Sequence, residues 1–98
     1  SCLKYLKQLP IDVLKIDKCF VDECSVSHSD RVLVNTIVQM GHSLGIKVIA
    51  EGVEHEEQLA VLEELGCDQY QGYLFSQPLS YQEFSSMILQ ERIEASSA

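Results

Sequence analysis

The sequence predicts an α/β fold with parallel strands, on three observations. Short, nearly continuous apolar runs recur at about residues 11–16, 47–51 and 69–75, the pattern of strands covered on both faces. Between and beside them the apolar spacing becomes helical, over about 1–8, 29–44, 55–65 and 80–93. Helix and strand therefore alternate, an order that demands parallel strands joined by right-handed crossovers.

Each element has its own signal. Residues 1–8, with Leu3 and Leu6 among lysines, read as the end of a helix. Ile11, Val13, Leu14 and Ile16 form the first strand, interrupted by Lys15 and followed by Asp17. Leu33, Ile37, Met40 and Leu44 then make one helical stripe, with Ser27, Ser29 and Asp30 as candidate caps and Gly45 as a left-handed stop. Val48, Ile49 and Ala50 are the second strand, closed by Glu51-Gly52. Leu59, Leu62 and Leu65 repeat the helical stripe up to Gly66, and the third strand surrounds Tyr70 to Phe75 with Gln71-Gly72 inside it. Ser80-Tyr81-Gln82-Glu83 has the form of a capping box, followed by Phe84, Met87 and Ile88 as a buried stripe. Ala95 to Ala98 reads as a frayed tail.

Composition narrows the function. The 98 residues, 46% hydrophobic and 22% charged, suit one small domain with a core and argue against disorder. The net charge of -8 argues against duplex nucleic acid or an anionic membrane as the main partner, since both need a basic face. The acid is concentrated: residues 1–49 hold six basic and five acidic groups (+1), and 50–98 hold one basic and ten acidic (-9). Neither half has an apolar run near the ~20 residues of a membrane span, and the opening is no signal peptide, so a cytoplasmic location is expected. In that compartment Cys2, Cys19, Cys24 and Cys67 are expected to be reduced structural thiols.

Chemistry in parallel α/β folds sits at the carboxyl ends of the strands, which nominates Lys15, Glu51 and Gln71. A lysine inside an apolar strand either enters a polar pocket or snorkels at the sheet edge. Asp17, on the same face, is either its ion-pair partner or a cap on the next turn. Glu51, followed by a glycine that permits close approach, suits a metal ligand or general base, against the plainer reading of a solvated strand end. Glu54, Glu56 and Glu57 read as first-turn helix acids, with Glu54 alone near the strand end. Zinc, a hydrolytic triad around His28, His42 or His55, and a glycine-rich nucleotide loop all lack their spacing.

Taken together, Leu9-Pro10-Ile11-Asp12-Val13-Leu14-Lys15-Ile16-Asp17, Ala50-Glu51-Gly52-Val53-Glu54, Leu65-Gly66-Cys67-Asp68 and Gln71-Gly72-Tyr73-Leu74-Phe75-Ser76-Gln77-Pro78-Leu79 resemble the carboxyl-terminal part of an EAL domain. The resemblance implies a partial (β/α)8 TIM-type barrel in which residues 1–98 supply the last three parallel strands and their flanking helices. It also implies hydrolysis of the second messenger cyclic di-GMP to linear pGpG with two Mg2+ or Mn2+ ions. Lys15, Glu51 and Gln71 match the family's catalytic positions, Glu51 also serving the metal directly or through water, and Glu54 matches a loop-supporting glutamate. The family's other metal ligands precede the matched motifs, so the 98 residues alone are expected to bind no metal and to be inactive. His55 stands where a threonine cap is common, and Gln77 where a basic residue is. A degenerate EAL domain, binding cyclic di-GMP or a protein without cleavage, is the alternative, and a flavodoxin-like domain would need about five strands. Open strand edges imply self-association, and a membrane anchor would lie in other domains of the parent protein.

Overall fold

The first polar residues after each strand decide where the sheet stops, and so where the candidate side chains stand. The computed structural model describes residues 13–72 and 75–97, with side chains at 13–72 and 78–90. In chain order the elements are β1 (Val13–Ile16), α1 (Lys18–Val21), α2 (His28–Ser43), β2 (Lys47–Ala50), α3 (Glu56–Glu64), β3 (Gln69–Gly72), β4 (Phe75–Leu79) and α4 (Tyr81–Ser97). The helix expected at 1–8 lies outside the described residues. No helix among the described residues is long and apolar enough to cross a membrane.

The sheet has the order β1-β2-β3-β4. β1 pairs parallel with β2, Lys15 opposite Ile49 and Ile16 opposite Ala50, and β2 pairs parallel with β3, Ile49 opposite Gln69 and Ala50 opposite Tyr70. The expected third strand at 69–75 is corrected: it ends at Gly72, and the chain returns as β4, antiparallel, with Gly72 opposite Phe75 and Tyr70 opposite Leu79. Hydropathy is blind to this reversal, because the apolar run continues across it. Pro78, which has no N–H to donate, fits β4 because β4 is an edge strand.

Two further differences follow from local chemistry. α1 was not expected, and it forms because the Asp17 Oδ1 accepts the Cys19 N–H at 2.9 Å. That backbone hydrogen bond holds the Asp17 carboxyl below its ordinary range, and it decides between the two readings of Asp17 in favour of the cap. α4 runs on to Ser97 in place of a frayed tail, since no glycine or proline follows Ile93 to stop it.

The buried stripe of α2 is also corrected. Val34, Val38 and Gly41 face the core, whereas Leu33 is 39% exposed. Of the expected stripe Ile37 does pack against the core, but the buried face is centred on smaller residues because close helix–sheet packing here needs one: a Cβ on Gly41 would lie 2.6 Å from the Val48 Cγ2. Ser27 is the cap, its Oγ accepting the Asp30 N–H at 3.4 Å. Gly45 and Gly66 end their helices at φ 71° and 90°.

The core lies on the helix-covered side of the sheet. Ile16, Val48, Ala50 and Tyr70 pack there against Val34, Val38, Leu59, Leu62, Phe84 and Ile88. The Tyr70 ring meets Tyr81 and Phe84 edge-on at 6.3 Å each, and its hydroxyl donates to the Cys67 carbonyl at 3.0 Å, so the one polar atom of the ring is satisfied. The α4 capping box closes reciprocally, Ser80 N–H to Glu83 Oε1 at 3.1 Å and Glu83 N–H to Ser80 Oγ at 3.2 Å. Cys19 is exposed, while Cys24 and Cys67 are buried free thiols. Burial pushes Cys67 up to about 11, leaving it inert near neutral pH.

Candidate active site

Strand register brings the nominated residues to one face. Lys15 lies opposite Ile49, and Ile49 opposite Gln69. Glu51 and Gln71 each follow two residues further on, and i and i+2 side chains project alike. All three therefore stand on the sheet face opposite the helix-packed core, toward the carboxyl ends of parallel strands. Lys15 Nζ and Glu51 Oε1 are 3.6 Å apart, with the side chains 54% and 37% exposed. Gln71 is half-buried on β3.

Backbone contacts hold these positions. The Glu51 N–H donates to the Ile16 carbonyl at 3.0 Å, fixing the residue after β2 to the end of β1. The Val53 N–H donates to the Gln71 carbonyl at 3.1 Å, fixing the same turn to β3. Two glycines make that approach possible. Gly52, at φ 69°, lies beneath the Lys18 side chain, and Gly72, at φ 128°, lies so close that a Cβ there would be 2.7 Å from the Val53 nitrogen.

Glu54 is paired elsewhere, with Lys18. Its carboxylate is 3.2 Å from Lys18 Nζ, which also pairs with Asp22 Oδ1 at 2.8 Å. The Asp22 and Glu54 carboxylates hold the Lys18 ammonium above the usual lysine range. Beneath this exposed bridge, Gln58 Oε1 accepts the Glu54 and His55 N–H groups at 2.9 and 3.1 Å. Sequence reasoning did not single out Lys18 or Gln58. The spacing His55-x-x-Gln58 is the signal for the latter, a capping-box pattern obscured by the histidine. Lys18 stands four residues before Asp22, a local spacing, but nothing in the sequence points to its second partner Glu54, which lies on another loop.

His42 stands apart from this cluster. His42 Nε2 is 2.7 Å from Asp68 Oδ2, which also accepts the Val48 N–H at 2.8 Å, a tie at the amino-terminal side of the sheet. Among the described residues no group of three or more His, Cys, Asp or Glu side chains could hold a metal ion. Of the acids at the carboxyl end, Asp17 is committed to its cap and Glu54 to Lys18, which leaves Glu51 facing Lys15. A hard divalent cation takes about six oxygens or more, so Glu51 fits as one ligand among several.

The sequence and the sheet that carry this lysine–glutamate pair match a known family. The EAL domain family model matches residues 1–78. The chain belongs to the EAL domain family. It is 41% identical over 95 residues to the cyclic di-GMP phosphodiesterase NbdA of Pseudomonas aeruginosa, covering 97% of this chain and 12% of NbdA. The chain thus spans about an eighth of that relative. Among solved structures, the phosphodiesterase MucR of Pseudomonas aeruginosa in complex with cyclic di-GMP matches with a TM-score of 0.72 and 42% identity, over 86% of this chain and 34% of that one. BlrP1 of Klebsiella pneumoniae, in a manganese and cyclic di-GMP complex, matches with a TM-score of 0.67 and 33% identity, over 80% of this chain and 20% of that one. These neighbours are EAL TIM-barrel domains, and the sheet described here corresponds to part of such a barrel.

Proposed function

We propose that this chain is the carboxyl-terminal part of an EAL domain that hydrolyses cyclic di-GMP to linear pGpG, and that Lys15, Glu51 and Gln71 are its contribution to the catalytic site. The observation that carries the reading is the Lys15–Glu51 pair at 3.6 Å across the ends of β1 and β2, in a chain of this family. Mg2+ or Mn2+, when bound, would supply positive charge at the attacked phosphate. Glu51 would give it an oxygen ligand, directly or through water, or accept the proton of the attacking water. Lys15 orients that carboxylate and offsets the negative charge that grows on the phosphate oxygens. Gln71, whose carboxamide both donates and accepts, orients the water. Glu54 supports the loop through Lys18 and touches no reacting atom.

On this reading the remaining metal ligands belong to other strands of the intact domain, since no group of three or more candidate ligands is present among the described residues. The test is a cyclic di-GMP hydrolysis assay with Mg2+ or Mn2+. The whole protein is expected to release pGpG and the 98-residue chain none. Binding without hydrolysis by the whole protein would replace the enzymatic reading with that of a binding module.

We propose that the isolated chain, in a cytoplasmic setting, self-associates through the barrel-facing side of the sheet and the edge of β1, which has one strand neighbour, β2, among the described residues. Light scattering is expected to show a dimer or larger species, and a monomer at high concentration would refute this.

A further inference from the structure

Gln58 is the buried polar side chain among the described residues, 4% exposed. Burying a carboxamide is costly unless its hydrogen bonds are made, and here they are made across two loops. Its Oε1 accepts the Glu54 and His55 N–H groups at 2.9 and 3.1 Å, and its Nε2 donates to the Asp22 carbonyl at 3.3 Å. Capping α3 requires only the bond to the His55 N–H. The other two bonds do something else: they join the turn leaving β2, which carries Glu51, to the turn following α1, which β1 and Lys15 lead into. Lys18 spans the same gap from outside, but through an exposed side chain.

We propose that Gln58 is a positioning residue that sets where Glu51 stands relative to Lys15. Without it the 51–55 turn keeps its backbone bonds to Ile16 and Gln71 and the exposed Lys18–Glu54 pair but loses its buried tie to the neighbouring loop. The kinetic consequence rests on the phosphodiesterase reading; the placement of the turn does not.

The test uses the whole protein with Gln58→Met, which keeps the length and apolar stem of the side chain and removes all three bonds. Hydrogen exchange at the Glu51 and Val53 amides, neither of which Gln58 touches, is expected to quicken about tenfold, and kcat to fall about tenfold or more with KM within about threefold. A residue that merely caps α3 would quicken exchange only at Glu54 and His55. That pattern, or a kcat equal to the parent's, overturns the proposal. If the parent shows no hydrolysis, the phosphodiesterase reading falls by itself and exchange at Glu51 and Val53 still decides. If Gln58→Met does not fold, Gln58→Glu keeps the oxygen acceptor and sets a carboxylate against the Asp22 carbonyl, and the same readouts apply.

Discussion

Glu51→Gln in the whole protein is expected to lower cyclic di-GMP hydrolysis by about 10²-fold or more, with little change in melting temperature. The two effects separate because of where the side chain sits. The Lys15–Glu51 pair is 3.6 Å apart and well exposed on both sides, so as a surface ion pair it adds only about 0–1 kcal/mol to stability. The amide keeps the shape of the carboxylate and one oxygen. It loses the charge that faces Lys15, the basicity that accepts a proton and the anionic character that favours a divalent cation. Lys15→Met should lower the rate in the same direction, and the double variant should fall short of the product of the two, since both act on one pair. Steady-state pGpG release is the measurement, and a rate within about threefold of the parent for Glu51→Gln would remove this residue from the chemistry.

Gly72→Ala is expected to destabilise the fold by about 2–4 kcal/mol, the sum of about 1–3 kcal/mol of backbone strain and about 1 kcal/mol for a disturbed hydrogen bond. Gly72 holds φ at 128°, which side chains of the L series rarely adopt. A Cβ there would lie 2.7 Å from the Val53 nitrogen and 3.0 Å from the Gly52 Cα. Those are backbone atoms with no side-chain torsion to relieve the contact, so the 51–53 turn must lift off β3 and give up the Val53 N–H to Gln71 carbonyl bond of 3.1 Å. Gly52→Ala is a useful comparison. The nearest atoms its Cβ would meet are those of the Lys18 side chain, which can swing aside, so its cost should come mainly from the left-handed backbone, about 1–2 kcal/mol. Urea melts of both variants would rank them, and equal stability of Gly72→Ala and the parent would refute the close-approach argument. Because the same turn carries Glu51, Gly72→Ala should also reduce activity in whatever fraction remains folded.

Particular residues show how much of this was legible beforehand. Lys15, Glu51 and Gln71 could be nominated because each follows or interrupts an apolar run at a strand's carboxyl end, and β-sheet periodicity then puts them on one face. Asp17 could be narrowed only to two roles, since a carboxylate two residues from a lysine has the same spacing whether it pairs or caps. The α2 stripe is legible at Ile37, which packs against the core, and not at Leu33, which outranks Val34 in size although the close approach of Gly41 to Val48 selects the face with the smaller residues. The β3–β4 reversal was missed because Gly72 interrupts neither the length nor the hydropathy of the run around it.

By itself, the sequence determined the α/β class, the succession of parallel strands β1 to β3, and the three side chains at their ends, because periodicity and glycine stops are local properties. Gln58 and Lys18 are different. The Asp22 carbonyl that Gln58 reaches and the Glu54 carboxylate that Lys18 reaches lie across a gap between loops brought side by side only when β1 and β2 pair, whereas the Lys18–Asp22 pair is a local contact four residues apart. Whether a polar side chain becomes a buried tie between loops or a solvated helix residue depends on what stands across from it, and only the tertiary structure decided that.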